Sequence, residues 1–127
     1  MEGFIKNFFS PRSVAVIGVS REPNKIGYII FDNLLSSFKG SVFGVNPNAE
    51  IVLGEHLFRT VLDIKPSIDL AIISVPAKIV PRILESCGKK KIPYVVIISS
   101  GFSEVGNSGK LREEDVKKIL KKYKMRL

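Results

Sequence analysis

A short loop between an apolar run and a predicted helix carries the residues best suited to bind a phosphate group. Segment 14–27 is VAVIGVSREPNKIG, and Gly18 ends its apolar run. A glycine there lets the chain turn sharply and bring backbone N–H groups close to a ligand. Ser20 can donate a hydroxyl, Asn24 can cap the helix, and the helix N-terminus favours anions. A tight turn with a helix cap and no ligand explains the same residues, so both interpretations stay open.

The loop departs from the pattern of nicotinamide-dinucleotide sites. Those sites need G-x-G-x-x-G and an acidic residue about 20 positions further on, at the end of the second strand. Here Ser20 replaces the second glycine, and Gly27 lies too far along the chain. The second apolar run ends in Asn46 and Pro47, without a carboxylate. NAD is therefore disfavoured as the ligand.

The elements that must position this loop alternate along the chain. Near-continuous apolar, β-branched runs, typical of parallel strands buried on both faces, occur at 13–19, 41–46, 68–75 and 93–99. Helical spacing of apolar residues follows at 25–38, after the third run and near the end of the chain. Gly40 and Gly88 are predicted left-handed caps of two of these helices. The alternation predicts an α/β fold with a doubly wound parallel sheet, as a single domain over 1–127.

Two segments interrupt or end this alternation. Segment 48–65 is predicted to form a short strand or hairpin around Gly54, from 50–53 and 56–58, followed by one helical turn. The last residues, KKYKMRL, are predicted to end a helix and to begin a further strand. That pattern is expected of a chain that is cut or split from a partner.

Composition limits the class of protein. The chain has 127 residues, 45% hydrophobic and 25% charged, which is typical of a soluble globular domain. No apolar stretch approaches the roughly 20 residues that span a bilayer, and no signal peptide is expected. Cys87 is the only cysteine, so no intrachain disulfide can form, and a reducing cytoplasmic location is predicted.

The net charge of +8 comes from two stretches, 89–91 and 110–127. Lys89–Lys91 and the end of the last helix, Lys117–Lys124, are predicted to lie at the edge of the sheet opposite the ligand loops, where basic residues complement helix C-termini. These basic residues are explained by exposure to solvent alone, and at that edge they lie too far from the ligand loops to contact ligand phosphates. Contact with nucleic acid or with a partner domain stays open, although no nucleic-acid-binding motif is present.

Four motifs lie on the loops expected at the carboxyl ends of the strands: FFSPRSVAVIGVS, VNP, DLAIISVPA and ISSGFSEVG. Together, over 8–127, they resemble the CoA-binding domain of NDP-forming acyl-CoA synthetases. This group includes ADP-forming acetate–CoA ligase and the α subunit of succinyl-CoA synthetase. The resemblance implies a Rossmann-like fold and coenzyme A as the ligand. It favours the ligase branch over small stand-alone CoA-binding proteins, because those usually lack the SGFSE-like element.

The resemblance also implies a role for each matching position. Phosphates would be wrapped by Gly18, Val19 and Ser20, with Lys25 as charge partner; adenine and ribose would be bordered by Asn46 and Pro47; the pantetheine arm would lie along Val75, Pro76 and Ala77; and the far side would be lined by Ser100, Gly101 and Phe102.

No catalytic residue and no metal site are predicted in this chain. The family passes its acyl group through a phosphohistidine in a later domain, whereas His56 matches no such motif and is expected to be a surface imidazole. Cys87 is expected to be a packed thiol. The chain alone should bind CoA without catalysis, as part of a ligase with further domains or subunits, including an ATP-binding one. The alternatives are a stand-alone nucleotide- or CoA-binding regulatory module and a basic nucleic-acid-binding domain.

Overall fold

The computed structural model describes residues 10–98 and 106–127, with side chains from 113 onward in the second range. Its strands and helices are β1 Ser13–Ile17, α1 Ile26–Ser37, β2 Ser41–Val45, β3 Ile51–Val52, β4 Glu55–His56, β5 Leu70–Ile73, α2 Val80–Lys89, β6 Tyr94–Ile97 and α3 Gly106–Tyr123. Single 3-10 turns lie at Val61–Asp63 and Ala77–Ile79. Within these two ranges, no helix combines the length and apolarity needed to cross a membrane.

The main sheet is parallel, with strand order β2-β1-β5-β6. The chain leaves β1 toward β2 on one side and later returns to β5 on the other side of β1, so the strand order reverses between β1 and β5. This confirms the predicted doubly wound α/β sheet. The predicted strands are present, each one to two residues shorter than expected at one or both ends. The hairpin predicted around Gly54 is also present, as antiparallel β3 and β4.

Both faces of the sheet are covered, which explains the near-continuous apolar runs. All five residues of β1 are buried. Val14 and Val16 pack with Phe31 of α1 on one face. On the other face Ala15 and Ile17 belong to a core that includes residues of α2 and α3. The residues of α2 and α3 buried in that core are Val80, Leu84, Cys87 and Val116.

Within the described part of the chain, each outer strand of the sheet meets one further backbone segment. Next to β2, Phe58 donates its N–H to the Gly44 carbonyl at 2.9 Å and accepts from the Asn46 N–H at 2.9 Å. Next to β6, Arg126 accepts from the Val95 N–H at 2.8 Å. The parallel bridge at Arg126 is where the sequence predicts a further strand to begin.

The helix ends differ from the sequence-based expectation. Gly40 and Gly88 do not have the positive φ of left-handed caps, so that prediction is wrong. Gly88 instead lies inside α2. A Cβ at this position would come within 2.2 Å of the Tyr123 ring, so glycine leaves the space that the ring occupies. Lysines take the left-handed conformation instead, Lys91 after α2 with φ 67° and Lys124 after α3 with φ 57°.

Candidate ligand-binding cleft

The carboxyl ends of β1, β2 and β5 meet at one edge of the sheet, where the strand order reverses. In open α/β sheets this crevice is the usual ligand site, because loops diverge there to opposite faces. Gly18 has φ +102°, and a Cβ at this position would lie 2.0 Å from the Ser74 carbonyl oxygen. A Cβ on Gly27 would lie 2.1 Å from the Gly18 carbonyl oxygen. The loop therefore packs directly between β5 and the first turn of α1, with no space for side chains at these two positions.

The backbone of this loop is already bonded to its neighbour. The N–H groups of Gly18 and Val19 both donate to the Val45 carbonyl oxygen, at 2.9 Å and 3.2 Å. These are the first two N–H groups of the loop after β1. Since they are used within the protein, a ligand anion at this edge needs other donors.

Ser20 and Lys25 lie further along the same loop. The half-buried Ser20 accepts from the Glu22 N–H through its Oγ at 3.1 Å, so it stabilises the turn and keeps its own proton for donation. The Lys25 ammonium is exposed and lies 4.0 Å from the Glu22 carboxylate. The prediction that Asn24 caps α1 is wrong, because Lys25 is the N-cap residue and no side chain bonds there.

Asn46 connects the loops that follow β1 and β2. Its side chain is 6% exposed, and Nδ2 donates to the Val19 carbonyl at 3.2 Å and to Glu50 Oε1 at 3.4 Å. Oδ1 accepts from the Asn48 N–H at 3.0 Å. Pro47, which follows, is exposed at the rim. The side-chain amide of Asn46, predicted to border the ligand, therefore also fixes the loops after β1 and β2 relative to each other.

Two adjoining hollows open at this edge, and they share Val19, Asn46 and Pro47. The polar hollow, with a volume of about 360 Å³, is otherwise lined by Ser20, Arg21, Glu22, Asn48 and Glu50. The apolar hollow, of about 300 Å³, is otherwise lined by Ile17, Gly18, Val45, Arg59, Ser74, Val75, Pro76, Ile79, Arg82 and Ile83. Together the two hollows, called the cleft below, suit an elongated ligand with one polar and one apolar end.

Most of the predicted site residues are brought together in this cleft. Gly18, Val19, Ser20, Asn46, Pro47, Val75 and Pro76 line one or both hollows. Lys25 and Ala77 line neither, and Ala77 is buried at the start of the 3-10 turn Ala77–Ile79. Ser100, Gly101 and Phe102 lie outside the described residues.

The sequence analysis missed charged residues in both hollows. Arg21 and Glu50 form an ion pair at 2.8 Å in the polar hollow. Arg59 and Arg82 line the apolar hollow. Arg82 could have been found, because helical spacing places it one turn after Ile79. Arg59 follows Phe58, whose backbone pairs with β2, and the spacing of residues in the sequence does not indicate that contact.

Two residues with reactive side chains lie away from the cleft. Cys87 is fully buried, and burial raises the pKa of its thiol to about 12, as expected for a packed thiol. His56 is exposed on β4, which confirms the predicted surface imidazole. At the opposite edge of the sheet, a basic hollow lies between the ends of α2 and α3. Its lining includes Lys89, Lys91, Lys122 and Lys124.

Comparison with known proteins assigns the family. A model described as "CoA binding domain" matches residues 12–127. The chain belongs to this CoA-binding domain family. The domain is 43% identical, over 97% of its length, to an ADP-forming acetate–CoA ligase of Methanocaldococcus jannaschii. It is 45% identical, over 94% of its length, to the α subunit of ADP-forming acetate–CoA ligase II of Pyrococcus furiosus.

Solved structures agree with the assignment of this CoA-binding domain. A dinucleotide-forming acetyl-coenzyme A synthetase 1 of Ca. Korarchaeum cryptofilum, in its apo form, superposes with a TM-score of 0.89 at 38% identity, covering 97% of the domain and 27% of that chain. The chain spans 17% of the M. jannaschii ligase and 26% of the P. furiosus subunit. It corresponds to the N-terminal region of the ADP-forming ligases.

Proposed function

We propose that the cleft binds coenzyme A for an ADP-forming acyl-CoA synthetase of which this chain supplies the N-terminal domain. The observation that carries this proposal is the pair of hollows that share Val19, Asn46 and Pro47. One hollow is lined by charged and amide side chains, and the other mainly by aliphatic ones. Coenzyme A has the same division, with a phosphorylated nucleoside at one end and the less polar pantetheine arm at the other.

The assignment of ligand parts follows the chemistry of each hollow. The adenosine end lies in the polar hollow beside Asn46 and Pro47, and the pantetheine arm lies along Val75 and Pro76. Ser20 donates its hydroxyl to a phosphate group. Lys25 contributes only after it separates from Glu22, since its ammonium lies near that carboxylate.

The remaining assignments extend the proposal to residues outside the two hollows. Ala77 supports the pantetheine wall from beneath, because it is buried at the start of the turn that follows Pro76. Ser100, Gly101 and Phe102 line the far side of the cleft in the proposed complex. The whole chain, 1–127, acts as one CoA-binding domain.

The chemistry of acyl transfer is assigned to other domains or subunits. The chain covers only 17–26% of the two ligases compared above. We infer that an ATP-binding domain and a phosphohistidine domain act together with this one, in the cytoplasm. This CoA-binding domain then holds the thiol-bearing arm for a reaction that the chain alone does not catalyse.

Replacing Ser20 with Ala tests the phosphate contact. The change removes one hydrogen bond to a charged group, worth about 1.5–3 kcal/mol, so the affinity for CoA should fall roughly ten- to a hundredfold. Isothermal titration calorimetry measures the change. Lys89→Ala, at the opposite edge of the sheet, is the control and should leave the affinity nearly unchanged. A lower melting temperature with an unchanged Kd would show that Ser20 only supports its turn.

The same calorimetry separates CoA recognition from recognition of another nucleotide and from nucleic-acid binding. Titration with NADH, ATP and an RNA oligomer should give much weaker binding than CoA. Binding of NADH or ATP without CoA would indicate a nucleotide-binding regulatory module instead. Binding of RNA that weakens steeply with salt, again without CoA, would indicate a nucleic-acid-binding domain.

A further inference from the structure

Among the described residues that line the apolar hollow, two carry a positive charge and none carries a negative one. The two are Arg59 and Arg82. The two arginines come from different walls, Arg59 from the segment beside β2 and Arg82 from the first turn of α2. Unlike scattered surface cations, they face one shared space.

Neither of these arginines has an ion pair with a described residue, whereas two arginines elsewhere do. Arg12 lies 3.5 Å from Asp69, and Arg21 lies 2.8 Å from Glu50. Guanidinium groups bind phosphate oxygens through paired, charge-assisted N–H donors. Arg59 and Arg82 therefore keep this capacity for a ligand.

The first two N–H groups of the loop after β1 are not available to a ligand. The N–H groups of Gly18 and Val19 are bonded to the Val45 carbonyl. A ligand phosphate in the cleft therefore needs side-chain partners beside Ser20 of this loop, and arginines without an ion pair are suited to supply the positive charge. Arg59 lies beside Asn46, because the Asn46 N–H donates to the carbonyl of the preceding residue, Phe58, at 2.9 Å. This places Arg59 close to the junction of the two hollows.

We propose that Arg59 and Arg82 form a phosphate-binding pair that reaches from two walls of the apolar hollow to the phosphate groups of the ligand, while the pantetheine arm occupies the rest of that hollow. The proposal rests on the proposed function, since coenzyme A is the ligand considered. It adds two side chains that the sequence motifs do not include. The diphosphate, between the nucleoside and the pantetheine arm, is the group nearest the junction in the proposed orientation, and the ribose 3′-phosphate is the other candidate.

Calorimetry with Arg59→Gln and Arg82→Gln tests the pair, with Arg12→Gln as the matched control at the other end of β1. Each cleft variant should weaken CoA binding roughly tenfold or more, since each removes a charge-assisted contact. The control should stay within about twofold. Both cleft side chains are exposed, so the variants should fold like the parent, as thermal unfolding checks. An unchanged Kd in either cleft variant overturns the pair but leaves the proposed function standing.

Truncated ligands identify the contacted group. Pantetheine, without phosphates, should bind all four proteins equally, and an equal loss with pantetheine overturns the proposal in favour of a packing role. Dephospho-CoA retains the diphosphate but lacks the 3′-phosphate. A loss that persists with it assigns the arginines to the diphosphate, and a loss that disappears assigns them to the 3′-phosphate.

Inorganic pyrophosphate distinguishes failure of this inference from failure of the proposed function. If the parent protein does not bind CoA, the proposed function is wrong. Pyrophosphate binding that both cleft variants lose then still supports the arginine pair. If pyrophosphate does not bind the parent either, the pair is overturned as well.

Discussion

At the scale of single residues, Cys87 shows how burial decides the chemistry of a side chain. Its pKa rises from 9.0 to about 12 because burial disfavours the thiolate. At pH 8 the native protein should react with Ellman's reagent about a thousandfold more slowly than the chain unfolded in urea. The buried thiol also favours the folded state below pH 9, and this contribution is lost as the pH rises toward 12.

The urea dependence of that reaction supplies the control. If modification requires unfolding, the rate should rise along the unfolding transition. A rapid reaction in native buffer, insensitive to urea, would contradict the buried position of Cys87.

The candidate site could be predicted from the sequence only where a residue sits on a regular element or its turn. The position of Gly18, Val75 and Pro76 at the carboxyl edge of the sheet could be predicted, because each comes at the end of an apolar run that reads as a strand. The role of Asn46 as a bridge between loops could not, because its partners lie 27 positions away at Val19 and in the irregular segment. Arg59 was not predicted as a site residue for the same reason, since its position depends on the tertiary pairing of Phe58 beside β2.

At the scale of secondary-structure elements, the contact between α2 and α3 depends on Gly88. The Tyr123 ring lies over this glycine, and its hydroxyl donates to Glu85 Oε2 at 2.6 Å. That hydrogen bond, together with the Lys122 ammonium 3.6 Å from Glu85, lowers the pKa of the Glu85 carboxyl. The ring is therefore held in place from both sides.

Gly88→Ala should destabilise the domain, although alanine is the better helix former. The gain in helix propensity is about 1 kcal/mol, whereas overpacking costs about 1–3 kcal/mol. The new Cβ would lie 2.2 Å from Cδ2 and 2.3 Å from Cγ of Tyr123, near the base of a ring that its hydroxyl also anchors. We expect a net loss of about 1 kcal/mol in the free energy of unfolding, measured by urea denaturation.

Lys89→Ala is the matched control, because it lies next to Gly88 on α2 with its side chain exposed. Its free energy of unfolding should change by less than about 0.5 kcal/mol. A Gly88→Ala variant as stable as the parent would show that α3 can shift to make space.

The order and type of the elements could be predicted because periodicity repeats over many residues. The helix ends could not be. In the sequence, Gly88 follows apolar residues of helical spacing, as a helix-capping glycine does. In the structure it lets the Tyr123 ring of α3 pack against α2. Lys91 and Lys124 adopt left-handed conformations that favour glycine, so their lysine side chains gave no indication of a helix end.

At the scale of the whole molecule, ligand binding and global stability are linked. A ligand that binds only the folded state at a hundred times its Kd adds about 2.7 kcal/mol of stability. For a domain of this size the melting temperature should then rise by roughly 10 °C. Differential scanning calorimetry at increasing CoA concentration measures the shift, with NADH as the control ligand. An equal shift with NADH would argue against specific recognition of CoA.

The backbone segments beside the outer strands affect how molecules of this protein meet one another at high concentration. An outer strand with free N–H and carbonyl groups is a template on which a foreign strand can add, and this is a common start of aggregation. Phe58 occupies such groups on β2, and Arg126 occupies them on β6. A foreign strand at these positions must first displace a segment of the same chain. The irregular segment after β2 and the residues after α3 therefore protect the domain against edge-to-edge association.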